Sequence, residues 1–136
     1  MTAIPTTING VNVEFGEGTV NDVSPALISA LHHCITTNVA AGHVLTRIYV
    51  SSAYDSHSLP SRHMQKKAVD ISRINGVKIA VAYPQGGAVT SIVNAIQARF
   101  ESFAGRRENF GPSMKKKSGQ AWSVDGHDDH IHLSVD

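Results

Sequence analysis

The stretch Asp128-Asp129-His130-Ile131-His132-Leu133-Ser134-Val135 stands at the end of a sequence of 136 residues. Ile131, Leu133 and Val135 alternate with His132 and Ser134, and this predicts a strand with an apolar face and a polar face. A chain end built this way is expected to be held in a sheet rather than to fray. On such a strand His130 and His132 project to the same side, where two imidazoles can converge on a common centre.

The elements upstream follow from their periods. Val11–Phe15 alternates and predicts a short strand. Ser24 and Pro25 read as the N-cap and first position of a helix, and Leu27, Ile28, Leu31, Ile35 and Val39 keep helical spacing up to Gly42. The run 44–50 alternates with Val44, Thr46, Ile48 and Val50 on one face, and leads into the loop SSAYDSHSLPSRH. AVDIS (68–72) and VKIAVAY (77–83) read as two β-rich runs joined at Asn75-Gly76, a strong hairpin signal. After Pro84 and Gly86-Gly87, a second helix is predicted by Val89, Ile92, Val93, Ile96, Phe100 and Phe103, stopping at Gly105. RRENFGPSMKKKSGQAW (106–122) is polar and irregular and reads as a long loop. The sum is an α+β fold in one domain, 1–136: an antiparallel sheet with helices packed on one face.

Composition excludes several classes of function. Hydrophobic residues make up 41% of the chain, enough for an ordinary core. Twelve basic residues against eleven acidic ones leave a formal net charge of +1, so no global field draws the chain to nucleic acid or to an anionic membrane. A single cysteine, Cys34, rules out an internal disulfide framework. No run approaches the roughly 20 apolar residues of a membrane helix, and the N-terminal stretch lacks a basic segment followed by an apolar one. The expectation is a monomer made in the cytoplasm without a signal peptide, with no nucleic-acid partner and no membrane insertion.

A zinc ion that does chemistry takes three protein ligands and keeps one position open. The paired histidines therefore direct attention to SRHMQKKAVD, where His63 and Asp70 lie seven positions apart. On a helix they would be about 10 Å apart, too far to share an ion with bonds of about 2 Å. With an extended chain and a reversal at Lys66-Lys67, His63 falls opposite Asp70, at the roughly 5 Å Cβ spacing of a cross-strand pair. A looser loop ending in a strand at Ala68 would also serve.

Ser61-x-His63 with Ala68-x-Asp70, followed by His130-x-His132, resembles the zinc motif of a metallopeptidase group. That group comprises the D-alanyl-D-alanine carboxypeptidases and dipeptidases, the lysostaphin-type and murein endopeptidases, phage endolysins and the hedgehog signalling domain. The fuller pattern is S-x-H-x-x-G-x-A-x-D with a distal H-x-H or acid-x-x-H, and the match spans Ser61 to His132. The resemblance implies a hedgehog or D-Ala-D-Ala peptidase-like fold, with zinc held by His63, Asp70 and His132. It implies Asp129 as general base and His130 as a stabiliser of the transition state. Strict strand alternation would put Asp128 with the histidines instead of Asp129, so Asp128 stands second for the base. Ser61, Arg62 and Tyr54 are the substrate-binding candidates. The arginine often found upstream of the first histidine is missing, with Tyr54 and Asp55 in its region; Arg47, Arg62 and Arg73 are the available substitutes. Lys66 stands where the group usually has glycine, so a positive φ there would be strained.

Two imidazoles and a carboxylate suit zinc better than calcium or magnesium, which prefer oxygen ligands. Cys34 follows His32 and His33 on a helix, where successive side chains diverge by about 100°, so that trio neither clamps an ion nor forms a nucleophile pair. His32, His33, His43, His57 and His127 read as surface or loop histidines, with His57 and His127 nearest the cleft. Lys115-Lys116-Lys117 reads as a solvated loop, and Trp122 as either core or a platform at the cleft rim. The expected activity is zinc-dependent hydrolysis of the peptide part of bacterial peptidoglycan by an endolysin-type endopeptidase, acting on the cell wall after release. A cytoplasmic D,D-dipeptidase or carboxypeptidase, and a non-catalytic zinc-containing binding module, are the alternatives.

Overall fold

The structure, a computed structural model, describes residues 2–19, 22–52 and 66–136. Along the chain run β1 (Thr2–Ala3), β2 (Thr7–Ile8), β3 (Val11–Phe15), β4 (Asp22–Val23), α1 (Pro25–Cys34), β5 (Arg47–Ser52) and β6 (Ala68–Ile74). β7 (Val77–Lys78), α2 (Ile79–Ala82), α3 (Gly87–Phe100), β8 (Arg106–Phe110), β9 (Lys115–Lys117), β10 (Gln120–Ala121) and β11 (Ile131–Val135) complete the order. Among the described residues the main sheet runs β10-β9-β8-β11-β6-β5-β3-β2, with β7 on β6, and β1 pairs separately with β4.

The fold is α+β with a mixed, mostly antiparallel sheet, and the wholly antiparallel sheet read from the sequence is corrected at one place. β3 and β5 are parallel. Parallel neighbours need a long crossover, and the segment containing α1 supplies it. α1 and α3 pack on each other and on β11. Ile131, Leu133 and Val135 are fully buried in the same apolar cluster as Leu27, Leu31, Ile92 and Ile96.

α1 starts as expected: Pro25 opens it and the Ser24 hydroxyl accepts from the Leu27 N–H at 3.3 Å. It stops at Cys34 rather than near Gly42, because Ile35 is extended and the Asn9 side chain donates to the His32 and Ile35 carbonyls at 2.8 and 3.0 Å. A residue 23 positions upstream of His32 thus satisfies the carbonyls that a further turn would have used. β5 likewise begins at Arg47, later than the alternation suggested. The Asn75 Oδ1 accepts from the N–H groups of Thr46 and Arg47 at 2.7 and 3.3 Å, which leaves Val44 65% exposed while Leu45 is buried.

The hairpin at Asn75-Gly76 is present, with φ of 53° and 80° as a type I′ turn requires. Beyond it the expected second strand shrinks to two residues, and Ile79–Ala82 forms the short helix α2. α3 matches its predicted face: Val89, Ile92, Val93, Ile96 and Phe100 are buried, and Phe103 packs on the core from the following turn.

The larger correction concerns 106–122, read as a loop and folded as β8, β9 and β10. The alternation is hidden because the core side of β8 carries a polar residue. Asn109 is 1% exposed and is held by Gln97 of α3, whose Nε2 donates to Asn109 Oδ1 at 2.9 Å. Asn109 Nδ2 in turn donates to the Gln97 carbonyl at 2.8 Å and to Glu101 at 2.9 Å. A polar residue with satisfied hydrogen bonds can occupy a core position, and hydrophobic pattern alone does not find it.

Candidate functional site

One rung of the sheet carries the site. In register, Ser52 of β5 faces Asp70 of β6, Asp70 faces His132 of β11, His132 faces Phe110 of β8, and Phe110 faces Lys115 of β9. Asp70 points to this surface because Val69 and Ile71 on either side of it are buried in the core. A bulge between the β5 pairs then lets Ile74 return to the core, three residues after Ile71. β6 is held from before its start, since the Val135 N–H donates to the Lys67 carbonyl at 3.0 Å. Lys66 itself has a φ of 60°, the positive value at the position where the resembling group carries glycine.

His132 lies between two carboxylates. Its Nδ1 is 2.8 Å from Asp70 Oδ1, and its Nε2 is 2.9 Å from Glu108 Oε1. Burial disfavours the imidazolium, but the hydrogen bonds and charges of Asp70 and Glu108 outweigh that and lift the His132 pKa to about 9. Burial would likewise raise the Glu108 carboxyl, yet His132, the Ser134 hydroxyl and the Arg107 charge bring it down to about 2. Ser134, next on the same face of β11, donates to Glu108 Oε1 at 2.9 Å and accepts from the Glu108 N–H at 3.0 Å.

Three further rings close over the pair. Phe110 stacks on His132 with centroids 5.8 Å apart, and His127 stands 5.2 Å from Phe110, 5.5 Å from His132 and 5.0 Å from His130. Gly126 and His127 both have positive φ, and this turns the chain back toward β11. Burial, together with the charges of His132 and His130, lowers the His127 pKa. His130 Nδ1 meets Asp129 Oδ1 at 2.7 Å, and its Nε2 is 3.9 Å from Asp70 Oδ1. The hydrogen bond from His130 holds the Asp129 carboxyl below its ordinary value.

Asp70, Asp129, His130 and His132, named from the sequence, are therefore brought together. Asp128 turns away to an exposed ion pair with Lys115 at 2.8 Å. Tyr54, Ser61, Arg62 and His63 lie outside the described residues, as does His57. Arg47 and Arg73 are committed elsewhere, Arg47 lying against Gly76 and Arg73 stacking on Tyr49 at 4.3 Å. The lysine run is a strand rather than a loop, and Trp122 is 48% exposed under the Lys117 ammonium at 4.5 Å and so is not core. Cys34 is buried and its thiol is pushed up to about 12 by that burial, consistent with an inert core residue. Glu108 and Phe110 are not among the sequence candidates because the polar run 106–122 reads as a loop, whereas both stand on β8.

Among the described residues no three His, Cys, Asp or Glu side chains form a group that could hold a metal ion. The donors that are described suit zinc in kind, one imidazole and one carboxylate on paired strands. Bonds of about 2 Å at a tetrahedral centre put two donors roughly 3.3 Å apart, so the 2.8 Å between His132 Nδ1 and Asp70 Oδ1 needs only a slight opening. No helix among the described residues is long and apolar enough to cross a membrane. Comparisons of the chain with protein-family models, with curated proteins and with solved structures returned no match.

Proposed function

We propose that this chain is a zinc-dependent peptidase that hydrolyses peptide bonds of bacterial peptidoglycan as an endolysin-type endopeptidase, with a hedgehog or D-Ala-D-Ala peptidase-like arrangement of its ligands. The observation that carries the reading is the meeting of Asp70 and His132, 62 positions apart in sequence, at 2.8 Å, with the Asp129–His130 pair beside them. His63, Asp70 and His132 would hold the metal. When bound, zinc supplies a Lewis acid that can lower the pKa of water from about 15.7 to about 7.

The remaining work belongs to the chain. Asp129, a carboxylate at neutral pH that is oriented by its hydrogen bond with His130, accepts the proton of the attacking water and delivers it to the departing amine. His130, oriented through its Nδ1 by Asp129, presents Nε2 on the side of Asp70, where a protonated imidazole stabilises negative charge developing on the scissile carbonyl oxygen. Phe110 and His127 cover one side of His132 and limit water there. The substrate class, the peptide of the bacterial wall, comes from the resemblance of SRHMQKKAVD and the His130-x-His132 pair.

The test compares wild type with Asp129→Ala on purified peptidoglycan, with zinc content measured in both. Release of peptide fragments by wild type, and a loss of about 10²-fold or more in the variant at unchanged zinc content, is expected. Mass spectrometry of the new amino and carboxyl ends identifies the bond and separates an endopeptidase from a D,D-carboxypeptidase. Wild type and variant equally inert, with zinc bound in both, would overturn catalysis in favour of a zinc-containing binding module.

A further inference from the structure

We infer that Glu108 is a positioning residue for His132: it holds the proton on Nε2 and so presents Nδ1 as the lone-pair nitrogen beside Asp70. The inference rests on the zinc reading and adds to it a residue outside the Ser61–Asp70 and Asp129–His132 motifs.

A neutral imidazole carries one N–H and one lone pair, and only one of its nitrogens serves a metal. The two ring nitrogens point away from each other, so the carboxylate at one of them cannot share an ion with the carboxylate at the other. Asp70 faces Nδ1 at 2.8 Å and Glu108 faces Nε2 at 2.9 Å. With Asp70 in the ligand set, Nδ1 is the ligating nitrogen, and Glu108 is left as acceptor for Nε2–H. A ligating histidine commonly gives its second N–H to a carboxylate, which fixes its tautomer and raises its basicity.

Glu108 is itself held on both sides. Ser134 bonds to its carboxylate at 2.9 Å and to its backbone N–H at 3.0 Å, closing a ring of contacts with His132 on β11. The next residue, Asn109, pins β8 to α3 through Gln97. The carboxylate is thus carried by a strand whose position is set from the opposite face of the sheet, which suits a group meant to orient another.

The experiment uses the full chain. Zinc affinity is measured by chelator competition at neutral pH for wild type, Glu108→Ala and Glu108→Gln. The tautomer of His132 in the zinc-loaded wild type is read from ¹⁵N–¹H correlations of its ring. The expected results are a 10- to 100-fold weaker affinity for Glu108→Ala, substantial recovery in Glu108→Gln, whose amide oxygen still accepts Nε2–H, and a wild-type ring protonated at Nε2. Zinc bound equally by wild type and Glu108→Ala, or a wild-type ring protonated at Nδ1, would overturn the inference while leaving the zinc reading intact. The ring measurement stands even if neither variant folds. A wild type that binds no zinc at saturating supply would instead defeat the zinc reading, and the role of Glu108 with it.

Discussion

Asp128 and Asp129 are adjacent and chemically identical, yet only one belongs to the site. Asp129 bonds to His130 at 2.7 Å while Asp128 pairs with Lys115 in the open. Because β11 starts at Ile131, strict alternation does not extend back to these carboxylates. Exposed ion pairs contribute about 0.2–1 kcal/mol, so Asp128→Ala is expected to shift a urea unfolding midpoint little and to leave the proposed hydrolysis of peptidoglycan unchanged. A loss like that of Asp129→Ala would show that the wrong carboxylate has been named the base. His132 supports a second expectation. With its pKa at about 9 in the metal-free protein, a proton must leave the ring before a metal binds. Apparent zinc affinity is expected to rise by up to ~10-fold per pH unit from acid pH toward 9. Calorimetry in buffers of different ionisation enthalpy checks this through the protons released, and a pH-independent affinity would exclude His132 as a ligand.

β8 is the element on which the site depends and which the sequence conceals. Its core side is held by polar bonds: Gln97 donates to Asn109 Oδ1 at 2.9 Å and to the Met114 carbonyl at 3.0 Å, and accepts from the Ser113 N–H at 3.0 Å. Gln97→Ala leaves these buried partners unsatisfied and opens a cavity, at a cost of about 2–4 kcal/mol. Chemical denaturation should show that loss, with zinc affinity falling as well because Glu108 is carried on the same strand. For α1 the corresponding contact is the Ser24 cap, and Ser24→Ala is expected to cost about 1 kcal/mol without touching zinc binding. The contrast between the two variants tests whether β8, and not general stability, sets the site. α1 and α3 were legible because their buried faces are apolar at helical spacing. β8 was not, because a hydrogen-bonded asparagine replaces the apolar residue that would have marked the period.

For the molecule as a whole, His132, held between Asp70 and Glu108, couples folding to pH. His132 is raised from 6.5 to about 9, so the stability it contributes is full below 6.5 and is lost as pH rises through 9. Glu108 is lowered from 4.5 to about 2, so its contribution is full above 4.5 and is lost as pH falls through 2. The His132–Glu108 contact enters both shifts while Asp70 adds to that of His132, and the metal-free protein is expected to draw most from the cluster between pH 4.5 and 6.5. Urea titrations of metal-free protein across pH 5 to 9 should show a decline on the alkaline side that His132→Ala abolishes. An equally steep decline in the variant would locate the pH dependence elsewhere.

Local pattern was sufficient for the faces of α1 and α3, for the strand β3, for the Asn75-Gly76 turn and for the direction in which β11 turns its apolar residues. Each depends on neighbours within a turn or two of chain, where period and side-chain size already decide burial. The end of α1 at Cys34, the start of β5 at Arg47 and the strands within 106–122 required contacts from Asn9, Asn75 and Gln97, far away in sequence. The same holds for the site. The motifs single out Asp70 and His132 as candidates, but their meeting, and the presence of Glu108 on the other side of the ring, depends on strand register. Register is a property of the assembled sheet: it is set by which buried polar and apolar groups are satisfied together, and no single segment of the chain contains that information.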